Sequence, residues 1–171
     1  MNITYCLHLS EREKLKDAIL NLVSIEDLRY YHGWGTVTLL CEIDQVQKLT
    51  LEVPVFDFAL SLLHVVSALH DKDAIDLDFT ESDAKLIFKR TENIAITSNF
   101  SEWSCNCDLS QLEIEAKFLY TNLLRDLGIP VSLQHKMNFL EVTGVREYEG
   151  DLGGAGGGPG EEPGPADGRG G

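Results

Sequence analysis

Residues 54–70 read PVFDFALSLLHVVSALH, and the assignment of this stretch decides the fold. Pro54 has the fixed φ suited to a first helical position, and the run that follows is apolar almost all the way round. Its polar residues Asp57, Ser61, His64 and Ser67 recur at helical spacing on one narrow stripe. A helix of this kind belongs at the centre of a molecule, packed across a sheet and showing only that stripe to water. The apolar run, 53–69, is interrupted by the stripe and falls short of the ~20 residues that a membrane span needs.

Working outward toward the N-terminus, Gln47 to Val53 and Thr36 to Ile43 are rich in β-branched and aliphatic residues, with Asp44-Gln45 between them, and predict a β-hairpin. Before it, Ile25 to Gly35 interleaves Tyr30, Tyr31 and Trp34 with Gly33 and Gly35, which predicts an aromatic loop leading into a strand. Apolar residues at Leu15, Ala18, Ile19, Leu22 and Val23 predict an amphipathic helix from Glu11 to Val23, opened by a capping box of Ser10 and Glu13. Alternation of Ile3, Tyr5, Leu7 and Leu9 predicts an N-terminal strand.

Toward the C-terminus, four short runs separated by polar turns (74–79, 85–90, 94–99, 103–107) predict an antiparallel meander, with Ile75, Leu77 and Phe79 inward and Asp76 and Asp78 outward. A last helix, capped by Asp108 or Ser110, carries Leu112, Ala116, Leu119, Leu123 and Leu127 on one face until Gly128 and Pro130 stop it. From Gly150 half of the residues are Gly, too little apolar surface to offset the entropy of ordering. The expected fold is α+β: an antiparallel sheet of N-terminal strand, hairpin and four-strand meander against two or three helices. One domain over 1–149 and a disordered Gly/Pro-rich tail over 150–171 complete the expectation.

The chain carries 14 Lys+Arg against 28 Asp+Glu, a formal net charge of −14. Phosphate backbones and anionic membranes repel such a surface, so neither nucleic acid nor a membrane is an expected partner; a basic protein is attracted. Residues 1–20 lack the unbroken apolar centre of a signal peptide, so the expected location is cytoplasmic, with Cys6, Cys41, Cys105 and Cys107 held as thiols.

Five constellations bear on chemistry. The acids Asp71, Asp73, Asp76, Asp78, Glu81 and Asp83 lack the Gly and the spacing of a calcium loop, leaving a solvated strand face or an acidic contact surface for a basic protein. Cys105 and Cys107 form a single Cys-x-Cys without a matching pair, so structural zinc would need His32 or His135 brought near. Asp57 and His64 stand two turns apart, ~10.5 Å along a helix, too far for direct pairing, and Ser61 between them has no nucleophile-elbow glycines. Tyr30, Tyr31 and Trp34 combine apolar area with polar tips, as interface residues do, and suit core packing equally well. Arg169-Gly170-Gly171 resembles the end of ubiquitin-like modifiers, which implies conjugation through the tail.

Phosphate loops, dinucleotide fingerprints and His-Glu-x-x-His are missing from the sequence, so no catalytic residue, metal or cofactor is expected and an enzyme would be of unrecognised type. In element order, size and acidity, residues 1–149 resemble the small α+β immunity proteins that bacteria pair with secreted toxins. That resemblance implies an inhibitory module docking on a basic partner through Asp76, Asp78, Glu81 and Asp83, with the Tyr30, Tyr31 and Trp34 loop as a second contact.

Overall fold

The structure is a computed structural model that describes residues 1–20, 33–41, 46–79 and 82–129. The N-terminal alternation forms β1 (Asn2–Leu7), with Ile3 buried and Asn2, Thr4 and Cys6 exposed. The His8 carbonyl then accepts the Glu11 and Arg12 amides at 2.9 and 3.1 Å. Helix α1 (Leu9–Leu20) therefore starts before the expected capping box, and Ser10 lies inside its first turn rather than at the cap. Leu15, Ala18 and Ile19 are buried as the period requires; the expected last turn to Val23 lies outside the described residues.

The hairpin is present as β2 (Trp34–Cys41) and β3 (Gln47–Pro54), antiparallel from Trp34 opposite Pro54 to Cys41 opposite Gln47. Its connection at Asp44-Gln45 lies outside the described residues. Trp34 and Gly35, expected in a loop, open β2. Their backbone is extended because β1 closes directly over Gly35: a Cβ there would meet the Cys6 carbonyl oxygen at 2.3 Å and Leu7 Cα at 2.9 Å. Gly33, just before, has φ +78°, a conformation that costs glycine nothing, and its carbonyl accepts the Val55 amide at 2.9 Å. That bond ties the start of β2 to the start of the central helix.

Pro54 closes β3 and caps α2 (Val55–Ala68), one position before the expected one. Phe56, Phe58, Ala59, Leu62, Val65 and Val66 are buried, while His64 and Ser67 are exposed, so the polar stripe is where the sequence put it. Helix α2 packs against α3 (Leu109–Asp126) and touches β2, β3 and the strand that follows it, β4 (Ala74–Asp78). Phe56 meets Tyr120 of α3 with ring centroids 6.3 Å apart.

The meander is β4 (Ala74–Asp78), β5 (Lys85–Arg90), β6 (Ile94–Ser98) and β7 (Ser104–Cys107), each pairing antiparallel with the next. The fold class is α+β, but the strands divide into two sheets, β1-β2-β3 and β4-β5-β6-β7, rather than forming one. Helix α2 stands between the two sheets in sequence, so β3 and β4 are not joined as a hairpin. β3 and β4 are consequently both edge strands among the described residues. Leu112, Ala116, Leu119, Leu123 and Leu127 are all buried, and the helix stops where Gly128 takes φ +67°.

The expectation that all four cysteines are thiols is overturned. Cys41 and Cys105 are not thiols; they form a disulfide, with Cα atoms 5.6 Å apart across a sequence separation of 64. Both lie on the inward faces of their strands, and β2 meets β7 where the two sheets adjoin, so the side chains are brought together in the core. Gln47 reinforces the junction by accepting the Ser104 amide at 3.0 Å. Cys107 is a buried free thiol and Cys6 an exposed one.

Candidate functional site

A groove of about 470 Å³ lies between the edge strands β3 and β4, within the size range of small-ligand and side-chain sites. Its floor is apolar: Leu51, Val53, Phe58 and Leu77, all buried, reach it from β3, α2 and β4. Above the floor the rings form a connected set. Phe79 stacks nearly parallel to Phe58 at 6.4 Å and takes Phe100 edge-on at 6.1 Å. Phe100 is 43% exposed, and Trp34, half-buried, contributes to the lining from the start of β2.

Hydrogen bonds fix the end of the groove nearest Phe100. Asn99 accepts the Lys85 amide at 2.8 Å through Oδ1, while its Nδ2 donates to the Asp83 carbonyl at 2.7 Å. One side chain thus fastens the β6–β7 connection to the β4–β5 connection. Within the former, the Ser98 and Ser101 hydroxyls bond to each other at 2.6 Å, and the Ser101 amide donates to Ser98 Oγ at 3.1 Å. Phe100 sits between these two serines, so its ring is presented by a tied turn.

The rim is anionic. Glu52, Asp57 and Asp78 line the groove, and no Lys, Arg or His is among the described lining residues. Glu52 accepts the Thr36 hydroxyl at 2.6 Å and faces His8 Nε2 at 3.2 Å. Asp57 occupies the first turn of α2, where the helix dipole favours an anion. Asp78 is the exposed last residue of β4.

The structure brings together three of the residues singled out from the sequence, Trp34, Asp57 and Asp78. Asp76, on the same outward face of β4 as Asp78, pairs with Lys85, whose ammonium is held above the ordinary lysine range by that hydrogen bond. Lys85 stands opposite Asp78 and Lys89 opposite Ala74, so the outward β4–β5 ladder alternates in charge rather than being uniformly acidic. Asp83 is exposed in the β4–β5 connection. Tyr30, Tyr31 and Glu81 lie outside the described residues.

Sequence reasoning passed over Glu52, Phe58, Phe79 and Phe100. Phe79 reads as an inward strand residue, which it partly is. Phe100 carried the available signal: an aromatic inside the polar segment Ser98-Asn99-Phe100-Ser101-Glu102 has no strand or helix face to bury it.

The remaining constellations gain no chemistry. Cys105 is in the disulfide, and burial pushes the Cys107 thiol up to about 11. Asp57 and His64 stay two turns apart on α2. His32, His135 and Gly170-Gly171 lie outside the described residues, and β1 leads into α1 rather than into a hairpin. Among the described residues no group of three or more His, Cys, Asp or Glu could hold a metal ion, and no helix is long and apolar enough to cross a membrane. The chain matches no protein-family model, no curated protein and no solved structure.

Proposed function

We propose that this chain is a protein-binding module that engages a basic partner and inhibits it, in the manner of an immunity protein acting on a toxin. The observation that carries the reading is the groove: the exposed Phe100 beside half-buried Phe79 and Trp34, with Glu52, Asp57 and Asp78 but no cationic side chain in the described lining, on a chain of net charge −14. Aromatic rings supply contact area at small entropic cost, and a surrounding field of one sign selects and steers an oppositely charged protein.

The test is affinity capture from the source lysate on N-terminally tagged full-length chain, eluted with a salt gradient. Captured proteins are identified and then assayed, purified, with and without the chain. The expected result is a basic protein released by salt whose own activity the chain suppresses. The variant Asp76→Asn/Asp78→Asn/Asp83→Asn should associate with it more slowly at low salt, and the difference should shrink as salt screens the field. Retention of no basic protein, or of one whose activity is untouched, would overturn the reading.

A further inference from the structure

We infer that the Cys41–Cys105 bond is a redox-sensitive lock on the groove: closed, it holds the two sheets together at the junction from which the groove walls extend, and reduced, it lets those walls part. The inference is independent of what the groove binds.

Both walls of the groove leave from that junction. β2 and β7 are joined there by the disulfide, by the Ser104 amide donating to Gln47 Oε1 at 3.0 Å, and by the approach of Cys41 Sγ to the Asn106 carbonyl at 4.0 Å. Gln47 opens β3, whose far half, Leu51 to Pro54, lines the groove. Ser104 opens β7, directly after the connection that presents Phe100 to the groove. The other side of the groove is held by different means: α2 touches both β3 and β4, Phe58 stacks on Phe79, and Phe56 meets Tyr120 of α3. Those contacts contain no sulfur, so they outlast the bond. Reduction therefore leaves the floor in place and frees the walls at the junction.

The bond is buried, Cys41 being 5% and Cys105 3% exposed, so a reductant reaches it through local opening. Its position favours that opening: Cys41 is the last residue of β2, and β7, with 4 residues, is the shortest of the described strands and an edge of its sheet. The chemistry is thiol–disulfide exchange with glutathione. One glutathione thiolate attacks a sulfur of the bond, and the other cysteine leaves as a thiolate and takes up a proton; a second glutathione thiolate then attacks the mixed disulfide, releasing the first cysteine and forming oxidised glutathione. Cys107, two residues along β7, does not compete as the attacking group, because burial pushes its thiol up to about 11 and keeps it protonated at neutral pH. Cys6 and Cys107 remain thiols while Cys41 and Cys105 are paired, unlike the fully paired framework of a disulfide-stapled secreted domain.

The test equilibrates the full-length chain, without denaturant, in a series of glutathione buffers of rising reduced share. Each sample is divided. One part is acid-quenched, denatured and labelled with a maleimide, and the thiols are counted by mass; the other is read by NMR at the Trp34 indole and the rings of Phe100, Phe56 and Tyr120. The expected result is a rise from two labelled thiols to four within the series. Over the same buffers the Trp34 and Phe100 resonances should shift or broaden, while those of Phe56 and Tyr120, on the α2–α3 side, stay in place. Cys41→Ala/Cys105→Ala should give the reduced pattern at Trp34 and Phe100 without glutathione and should not respond to it. Three outcomes would each overturn the inference: a bond that stays closed in every buffer, Trp34 and Phe100 resonances indifferent to its reduction, or a collapse of the whole spectrum that takes Phe56 and Tyr120 with it. The last would make the bond a support of the entire fold rather than a lock on one groove. None of these readings involves a partner, so failure here leaves the proposed function standing, and the reverse also holds.

Discussion

Breaking the Cys41–Cys105 bond should cost this fold a large part of its stability. The bond closes a loop of 64 residues, and the chain-entropy treatment gives such a cross-link about 4 kcal/mol at 25 °C by restricting the unfolded ensemble. Typical domains have only about 5–15 kcal/mol in total. The assay is urea unfolding followed by far-UV circular dichroism, with and without a phosphine reductant. With a urea dependence of about 2 kcal/mol/M, the midpoint should fall by about 2 M on reduction. The double variant Cys41→Ala/Cys105→Ala should show a similar loss in the absence of reductant, with a small addition for the methyl-sized voids left in a dry junction. Changing both residues matters, because a single replacement would leave its partner as an additional free thiol in the core. Superimposable unfolding curves with and without reductant would refute the reasoning, as would a count of four reactive thiols in unreduced, denatured protein.

Other consequences follow from single contacts. Gly35→Ala ordinarily gains about 0.4–1 kcal/mol from a stiffer unfolded chain, but here the new methyl meets Cys6 O at 2.3 Å and the clash wins, costing about 3 kcal/mol or more in chemical denaturation. Tyr5→Phe removes the hydroxyl that donates to Asp126 Oδ2 at 2.6 Å, tying β1 to the end of α3, and should cost about 1 kcal/mol in the same assay. Burial raises the Cys107 thiol from 9.0 to about 11, so its contribution is intact below pH 9 and is lost as pH rises from 9 to 11. Wild type should therefore lose up to roughly 2–3 kcal/mol relative to Cys107→Ala across that window, read from denaturation midpoints against pH. Asn99→Ala should cost about 1–2 kcal/mol by releasing two backbone groups, and it should broaden the Phe100 resonances by freeing the turn that presents the ring.

The elements were legible wherever a local period decides them. The central helix, its polar stripe and the inward set of α3 could be read directly, because 3.6-residue spacing of Leu and Ala has no second interpretation over that length. What was not legible is what depends on distant residues meeting. Gly33 and Gly35 look like loop punctuation; only the approach of β1 shows that one supplies a positive φ and the other makes room inside a sheet. The disulfide has the same character, since nothing in the spacing of Cys41 and Cys105 announces that β2 and β7 adjoin. The groove fails for a related reason: its rings come from β2, α2, the end of β4 and the β6–β7 connection, and no window of sequence contains them together.

Charge illustrates how far composition reaches. A net charge of −14 predicts long-range attraction to cations but does not choose a face. The alternation that put Asp76 and Asp78 on one side of β4 also put Lys85 and Lys89 on that side of β5, and the ladder neutralises much of what the acids would have offered. Among the groove carboxylates Asp57, in the first turn of α2, lies outside that ladder, whereas Asp78 is part of it, opposite Lys85. For a basic partner of the kind proposed, the two kinds of acid would have different work. Exposed carboxylates distributed over the surface would set how fast it arrives, and less so as salt rises. On the proposed function, those beside Phe79 and Phe100 would act only at contact, where partial desolvation makes each charge count for more, and their removal would be read in the dissociation rate.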